Sequence, residues 1–200
     1  MRTLASSTRT SRTRNAALSA AVLLVLAALY ALTGSDTGGT TRAVREGNAL
    51  DGGMQSAGNV GYEHAQVGHE YWAGLPLPWN TSRSDIRRTA AEFTHVPKGL
   101  KVVEYRAFDA GETDGNVIFA STDADESSMG DLFKMRNYAG RAMTVKANSS
   151  SRVYYVARVK VTGPVHDSLS GCRYSYRQGA TQYQQHIDCS TVVRLGPPLK

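Results

Sequence analysis

Five histidines are the residues of this sequence that could first suggest a metal site: His64, His69, His95, His166 and His186. His64 and His69 are five residues apart, whereas two zinc-binding histidines on one helix face are four apart. His69-Glu70 also lacks the second histidine of the zinc-protease helix motif. A loop that brings His64, His69 and Glu70 together is the alternative, but the spacing favours solvated histidines and no cofactor.

A group of acidic residues has the density of oxygen atoms that calcium prefers, namely Asp123, Asp125 and Glu126. The group does not fit the helix-loop-helix calcium pattern. Ser128 stands where the sharp turn needs glycine, and Lys134 stands where a bidentate glutamate belongs. We therefore interpret these residues as a solvated acidic turn and keep calcium as the less favoured hypothesis.

No serine or cysteine stands in a sequence context that is typical of a catalytic nucleophile. The chain has no G-x-S-x-G motif and no glycine-rich phosphate loop. Carboxylate pairs such as Glu104 with Asp109, or Glu63 with Glu70, have the chemistry for acid–base catalysis, but no motif distinguishes them. We predict no catalytic residues.

Aromatic residues are concentrated in one irregular segment and comprise Tyr62, Tyr71, Trp72 and Trp79. Pro76 and Pro78 of the LPLPW sequence exclude a helix there and disfavour a central strand. Tyrosine and tryptophan provide a large contact area at little cost in entropy, so this segment is a candidate partner-binding surface. The alternative is that it folds over a sheet and completes the core.

The location of all these residues depends on residues 16–33, an uncharged and mostly apolar run. About 18 such residues are near the lower limit for a helix that spans a bilayer core of roughly 30 Å. Four arginines and no acidic residue precede the run, which predicts a cytoplasmic arm at residues 1–15. Most cleavage positions would place leucine at −3, so we predict an uncleaved single-pass signal-anchor, with secretion after cleavage as the alternative.

The net charge of +6 does not indicate nucleic-acid binding. Four of the 23 lysines and arginines precede the apolar run, so 19 remain against 17 acidic residues. The net charge of the chain after the run is therefore only +2, and no basic stripe with interleaved aromatics remains. Nucleic acid is not an expected partner.

Residues 34–60 are rich in glycine, serine and threonine and contain few large apolar side chains. Such a composition cannot bury enough surface to offset the entropy of ordering. We predict a flexible stalk that separates the membrane from an extracytoplasmic domain at residues 61–200.

The pattern of residues 61–200 predicts mainly strands. We expect short helices at residues 82–94 and 129–140, a hairpin made from residues 100–108 and 116–122, and a strand at 142–147 beside another at 152–161. In the last strand one set of alternating residues should face the core, namely Val153, Tyr155, Ala157, Val159 and Val161. The other set should face water, namely Arg152, Tyr154, Val156, Arg158 and Lys160.

The two cysteines of this exported chain predict a disulfide within a hairpin at residues 171–193. If Cys172 faces Cys189, Tyr174 lies opposite Ile187 and Tyr176 opposite Gln185, and residues 179–182 form a four-residue loop.

The expected fold is mainly β: a single antiparallel sandwich or partly open barrel with one or two short helices, preceded by a transmembrane helix. The expected function is a membrane-tethered extracytoplasmic interaction or accessory domain without catalytic activity. The alternative is a cell-envelope or extracellular hydrolase with unassigned acid and base residues. Expected partners are the cytoplasmic membrane and an envelope protein or glycan.

Overall fold

Strands make up most of the chain that the structure, a computed structural model, describes: residues 43–53, 59–113, 115, 120–122 and 134–197. The prediction of a mainly β fold is confirmed, and the helical residues in these ranges are Gly53 and the 3-10 turn at Ala110–Thr113. The strands are β1 (Arg45–Glu46), β2 (Leu50–Asp51), β3 (Asn59–Ala65), β4 (Glu70–Gly74), β5 (Trp79–Asn80), β6 (Ile86–His95), β7 (Leu100–Asp109), β8 (Ala120–Thr122), β9 (Met143–Val145), β10 (Ser149–Ser150), β11 (Val153–Val161), β12 (Leu169–Gln178) and β13 (Thr181–Leu195).

The strands form three sheets rather than a closed barrel. The first sheet has the order β1-β13-β12-β6-β9, and β3 also pairs with β13. The second has the order β7-β11-β4-β8, and the third, β10-β5-β2, is small. Most pairs are antiparallel, as predicted, but β1 and β3 both lie parallel to β13.

The β12–β13 hairpin carries the predicted Cys172–Cys189 disulfide, with a Cα–Cα distance of 5.8 Å. The predicted register is wrong by two residues, since Tyr174 lies opposite Gln185 and Tyr176 opposite Tyr183. A bulge near Gly171 places two residues of β13 against one of β12, and the loop shortens to two residues. A shift of two keeps each side chain on its predicted face.

Strand β11 lies in the middle of the second sheet and is buried on both faces over its first half. The expected core face is confirmed, because Val153, Val159 and Val161 are buried. Tyr154 and Val156, predicted to be wet, are also buried, in a second cluster with Trp72 and Phe108. The prediction of one wet face is therefore wrong for this half of the strand.

The helix predicted for residues 82–94 is instead strand β6. Its buried residues are Ile86 and Arg88 before Thr89, and Ala91 and Phe93 after it. The alternation changes phase because the pairing with β12 shifts by one residue at Thr89. This shift places Ile86 and Phe93, seven residues apart, on one face, a spacing that is also typical of a helix.

Three further local predictions differ from the structure. Strand β7 forms where expected but pairs with β11, whereas β8 pairs with β4, so the predicted hairpin partners Leu100–Asp109 and Ala120–Thr122 are not paired with each other. Strand β9 pairs with β6 and not with β11. Residues 134–142 form turns and loop rather than the end of a helix, and the rest of that predicted helix lies outside the described residues.

The segment around β1 and β2, predicted to belong to a flexible stalk, is bound to the fold. The Tyr176 hydroxyl accepts a hydrogen bond from the Ala49 amide at 3.1 Å, and Gln185 accepts one from the Leu50 amide at 2.9 Å. A Cβ atom at Gly47 would lie 2.2 Å from the Tyr176 hydroxyl, so the glycine permits this close approach. The folded part therefore extends into the predicted stalk.

The apolar run at residues 16–33 lies outside the described residues. Within the described ranges, no helix has both the length and the apolar character that crossing a bilayer requires.

Candidate functional site

A polar cleft of about 430 Å³ lies between the loop that precedes β12 and the C-terminal half of β13. Its apolar lining consists of Val165, Val192 and Val193. Its polar lining consists of His166, Asp167, Ser168, Ser190 and Arg194. A cleft of this size can hold a small ligand or one segment of a larger one.

The β12–β13 hairpin and its disulfide fix the base of this cleft. Ser190 of β13 lies opposite Ser170 of β12, and the bulge at Gly171 lies between this pair and Cys172. Gly171 has a φ of 62° in the bulge, and a Cβ there would lie 2.4 Å from the Thr94 hydroxyl of β6. Glycine therefore lets the bulge pack tightly against β6, which holds the two strand ends in place.

An exposed hydrogen bond between a histidine and an aspartate lies beside the cleft. Nε2 of His95 is 2.9 Å from Oδ2 of Asp167, and Oδ1 of Asp167 accepts a hydrogen bond from the Ser168 amide at 2.8 Å. The amide of Ser168, and then the His95 imidazole, lower the pKa of Asp167. The carboxylate is thus held ionised and oriented by two partners.

A weak ion pair lies at the rim, where Nη1 of Arg194 is 3.8 Å from Oε1 of Glu63. Both side chains are largely exposed, so this pair contributes little to stability and leaves the guanidinium able to bind another anion. Nδ1 of His64 donates a hydrogen bond to the Pro197 carbonyl at 2.7 Å, which fixes the chain beyond β13.

The cleft therefore combines two hydroxyl groups, one imidazole, one carboxylate and one guanidinium. These groups can exchange hydrogen bonds with a polar ligand. Within the described residues, neither Ser168 nor Ser190 donates its hydroxyl proton to a histidine ring. No three metal-ligating side chains come together in these ranges.

The four aromatic residues predicted as a partner-binding surface occupy different environments. Tyr71 and Trp72 are buried, and Tyr62 is half-buried with its ring centroid 4.7 Å from that of Tyr71. Trp79 is 47% exposed on β5. Of the four, Trp79 is the one that a partner could contact directly.

The remaining candidates are placed as follows. Asp123, Asp125 and Glu126, the calcium hypothesis, lie outside the described residues. Glu104 accepts hydrogen bonds from Arg106 at 3.0 Å and Arg158 at 3.3 Å. The other three carboxylates considered for acid–base chemistry are each paired with an arginine: Glu70 with Arg158, Asp109 with Arg152, and Glu63 with Arg194.

The sequence reasoning missed two features. His166, Asp167 and Ser168 are consecutive in the loop before β12, but only the fold brings them against Ser190 and Arg194. The side chain of Arg88 is completely buried, and the alternation of β6 could have revealed it only if the helix prediction had been abandoned.

Comparison with known proteins yields no match, either to a family model, to a curated protein or to a solved structure.

Proposed function

We propose that the protein is a non-catalytic interaction domain that residues 16–33 anchor in the cytoplasmic membrane and that acts on the extracytoplasmic side. The observation that carries the proposal is the buried disulfide Cys172–Cys189. Disulfides persist in oxidising compartments outside the cytoplasm. The uncharged run and the four arginines before it support the same topology.

The partner binds in the cleft beside β13. The lining offers hydrogen-bond donors and acceptors and only a small apolar surface, which suits a polar partner such as an envelope protein or a glycan. The cleft runs along Ser190 to Arg194, the part of β13 that pairs with β3. It is thus far along the first sheet from β1, where the described part of the chain begins.

The topology is tested by adding protease and a membrane-impermeant maleimide to intact cells. We expect a full-length band in membranes that external protease degrades, and cysteines that react with the maleimide only after reduction. Two cysteines that react without reductant would contradict the proposal. A shortened soluble band outside the cells would contradict the anchor and support secretion after cleavage.

The binding site is tested by proximity labelling from the C-terminus of the full chain. Ser190→Arg places a large side chain in the cleft, and Ala90→Arg places the same side chain on an exposed position of β6. We expect S190R to lose neighbours that the unchanged chain and A90R retain. Equal labelling by the two variants would argue against the cleft.

A hydrolase is the second candidate function, and one observation favours it. The cleft holds two serines near histidines, and the His95–Asp167 pair has the arrangement of a base and its orienting carboxylate. An active-site serine would react covalently with a fluorophosphonate probe. Labelling that disappears in S168A or S190A would support the hydrolase and contradict a non-catalytic domain.

A further inference from the structure

Two arginines face each other on the outer face of the first sheet. Arg87 of β6 lies opposite Arg177 of β12, and both side chains are exposed. Like charges directly opposite each other, with Cβ atoms about 4.5–5.5 Å apart, destabilise a sheet. An anion held between the two guanidinium groups would offset this repulsion.

The row of residues around the arginines supplies no compensating charge. Thr144 of β9 continues the row beside Arg87, and Gln182 of β13 continues it beside Arg177. A second pair of facing cations, Lys101 and Lys160 in the second sheet, differs because Lys160 also faces Glu70. The arginine pair thus lacks the neighbouring carboxylate that the lysine pair has.

The same end of the sheet carries further positive charge. Gln178 donates a hydrogen bond to the Ser82 hydroxyl at 3.1 Å, which holds the loop before β6 beside the β12–β13 turn. The exposed basic residues at this end are Arg45, Arg83, Arg87, Lys146 and Arg177, against two acidic residues, Glu46 and Asp85.

One of the two acidic residues is already neutralised. Lys146 lies 2.8 Å from Asp85, and the Ala147 amide donates to the same carboxylate at 3.0 Å. Within the described chain, neither Arg87 nor Arg177 forms an ion pair. The excess charge at this end is therefore positive and available to an external anion.

The described chain also begins at this end of the sheet. Strand β1 pairs with Tyr183 and Gln184, immediately after the β12–β13 turn. Residues 34–44, eleven in number, separate the apolar run from Arg45, where β1 starts. The extended backbone from Thr33 to Arg45 spans at most about 40 Å, so a membrane anchor at residues 16–33 would keep the start of β1 within that distance of the bilayer.

We propose that this basic end, centred on Arg87 and Arg177, binds the anionic phospholipid head groups of the membrane to which the chain is tethered. The inference rests on the proposed anchor. Guanidinium groups bind phosphate oxygens through paired hydrogen bonds, and the two arginines present two such groups side by side. Gln182, the residue of β13 opposite Arg177, marks the position of the basic end on that strand. Arg194, at the cleft, is twelve residues farther along β13 and so lies about 40 Å from Gln182.

Labelling of arginines by phenylglyoxal tests the contact in the full chain. The chain is reconstituted in vesicles of phosphatidylcholine alone or with added phosphatidylglycerol, and each arginine is quantified by mass spectrometry. In the anionic vesicles at about 0.01 M salt, we expect Arg87 and Arg177 to react at least about fivefold more slowly. The protection should disappear at about 1 M salt, and Arg194 should react equally in both vesicles.

Paired variants keep the test specific. In Arg87→Gln with Arg177→Gln, the protection of Arg45 and Arg83 should be lost. In Lys101→Gln with Lys160→Gln, which removes the same charge elsewhere, that protection should remain. Equal labelling in both kinds of vesicle, or equal behaviour of the two variants, would overturn the head-group site alone. A chain that does not float with phosphatidylcholine vesicles would overturn the anchor as well.

Discussion

Replacing Arg88 by methionine measures how much an uncompensated buried charge costs this fold. The Arg88 side chain has no exposed surface, and it lies among the tyrosines of the core with its guanidinium 4.9 Å from the ring centroid of Tyr155. Burial lowers the pKa of Arg88, but an arginine remains protonated in proteins. A full positive charge therefore lies in the core of the fold.

The contacts of Arg88 offset only part of this cost. One guanidinium nitrogen donates to the Val153 carbonyl, but Nε and Nη1 have no acceptor in the part of the chain that the structure describes. Each unsatisfied buried donor costs about 1–3 kcal/mol. The cation–π contact with Tyr155 returns about 0.5–2 kcal/mol, and desolvation of the charge costs several kcal/mol more.

Methionine has an unbranched side chain of similar reach and carries no charge. The Val153 carbonyl would still accept a hydrogen bond from the Ser151 hydroxyl at 2.7 Å, so the substitution leaves no unsatisfied acceptor there. Replacing buried ionic groups by well-packed apolar ones is neutral or stabilises by about 1–4 kcal/mol. We therefore expect Arg88→Met to raise the free energy of unfolding by about 1–4 kcal/mol.

Urea denaturation of the full chain in a non-ionic detergent, with an unchanged m-value, measures this change. Lys98→Met is the control, because Lys98 is an exposed cation in the turn that follows β6 and its replacement should change stability by less than about 0.5 kcal/mol. A loss of more than about 1 kcal/mol in Arg88→Met would refute the reasoning. It would mean that a bound anion or an ordered water compensates the charge.

Three further predictions concern acid, the aromatic segment and the segment around β1. Hydrogen bonds from Lys146 and Ala147 lower the pKa of Asp85, and hydrogen bonds from Ser168 and His95 lower the pKa of Asp167. These two carboxylates therefore stabilise the folded state above the ordinary aspartate pKa near 3.9. That stabilisation is lost as the pH falls through the lowered pKa of each group. The melting temperature should therefore fall below about pH 4, and less steeply in D85N/D167N; an identical acid profile would contradict this. Trp72→Ala should cost about 3–5 kcal/mol of unfolding free energy, whereas Trp79→Ala should cost little and weaken partner association if Trp79 contacts the partner. Tyr176→Phe should leave the Ala49 amide without its acceptor and cost about 1–3 kcal/mol, seen as faster hydrogen exchange at Ala49; unchanged exchange would show that the hydroxyl does not hold this segment.

The sequence predicted those features that depend on local alternation. The inward face of β11 and the Cys172–Cys189 pair follow from period-two spacing and from two cysteines in one hairpin. The registers were missed because single-residue bulges at Thr89 and near Gly171 shift the alternation without a strong local signal. The cleft was missed because it joins a loop to a strand end, and their proximity depends on the whole first sheet.

The position of β13 has a consequence for how the chain acquires its structure. Strands β1 and β3 both pair with β13, although more than a hundred residues separate each of them from β13 in sequence. Pairings between distant parts of a chain form slowly, because loop closure must occur before the contacts stabilise it. At about 5–20 residues per second, the interval between synthesis of β1 and of β13 is roughly 7–27 seconds. During that interval the first strands of the domain have no β13 to pair with, so the C-terminal strand governs the last step of folding.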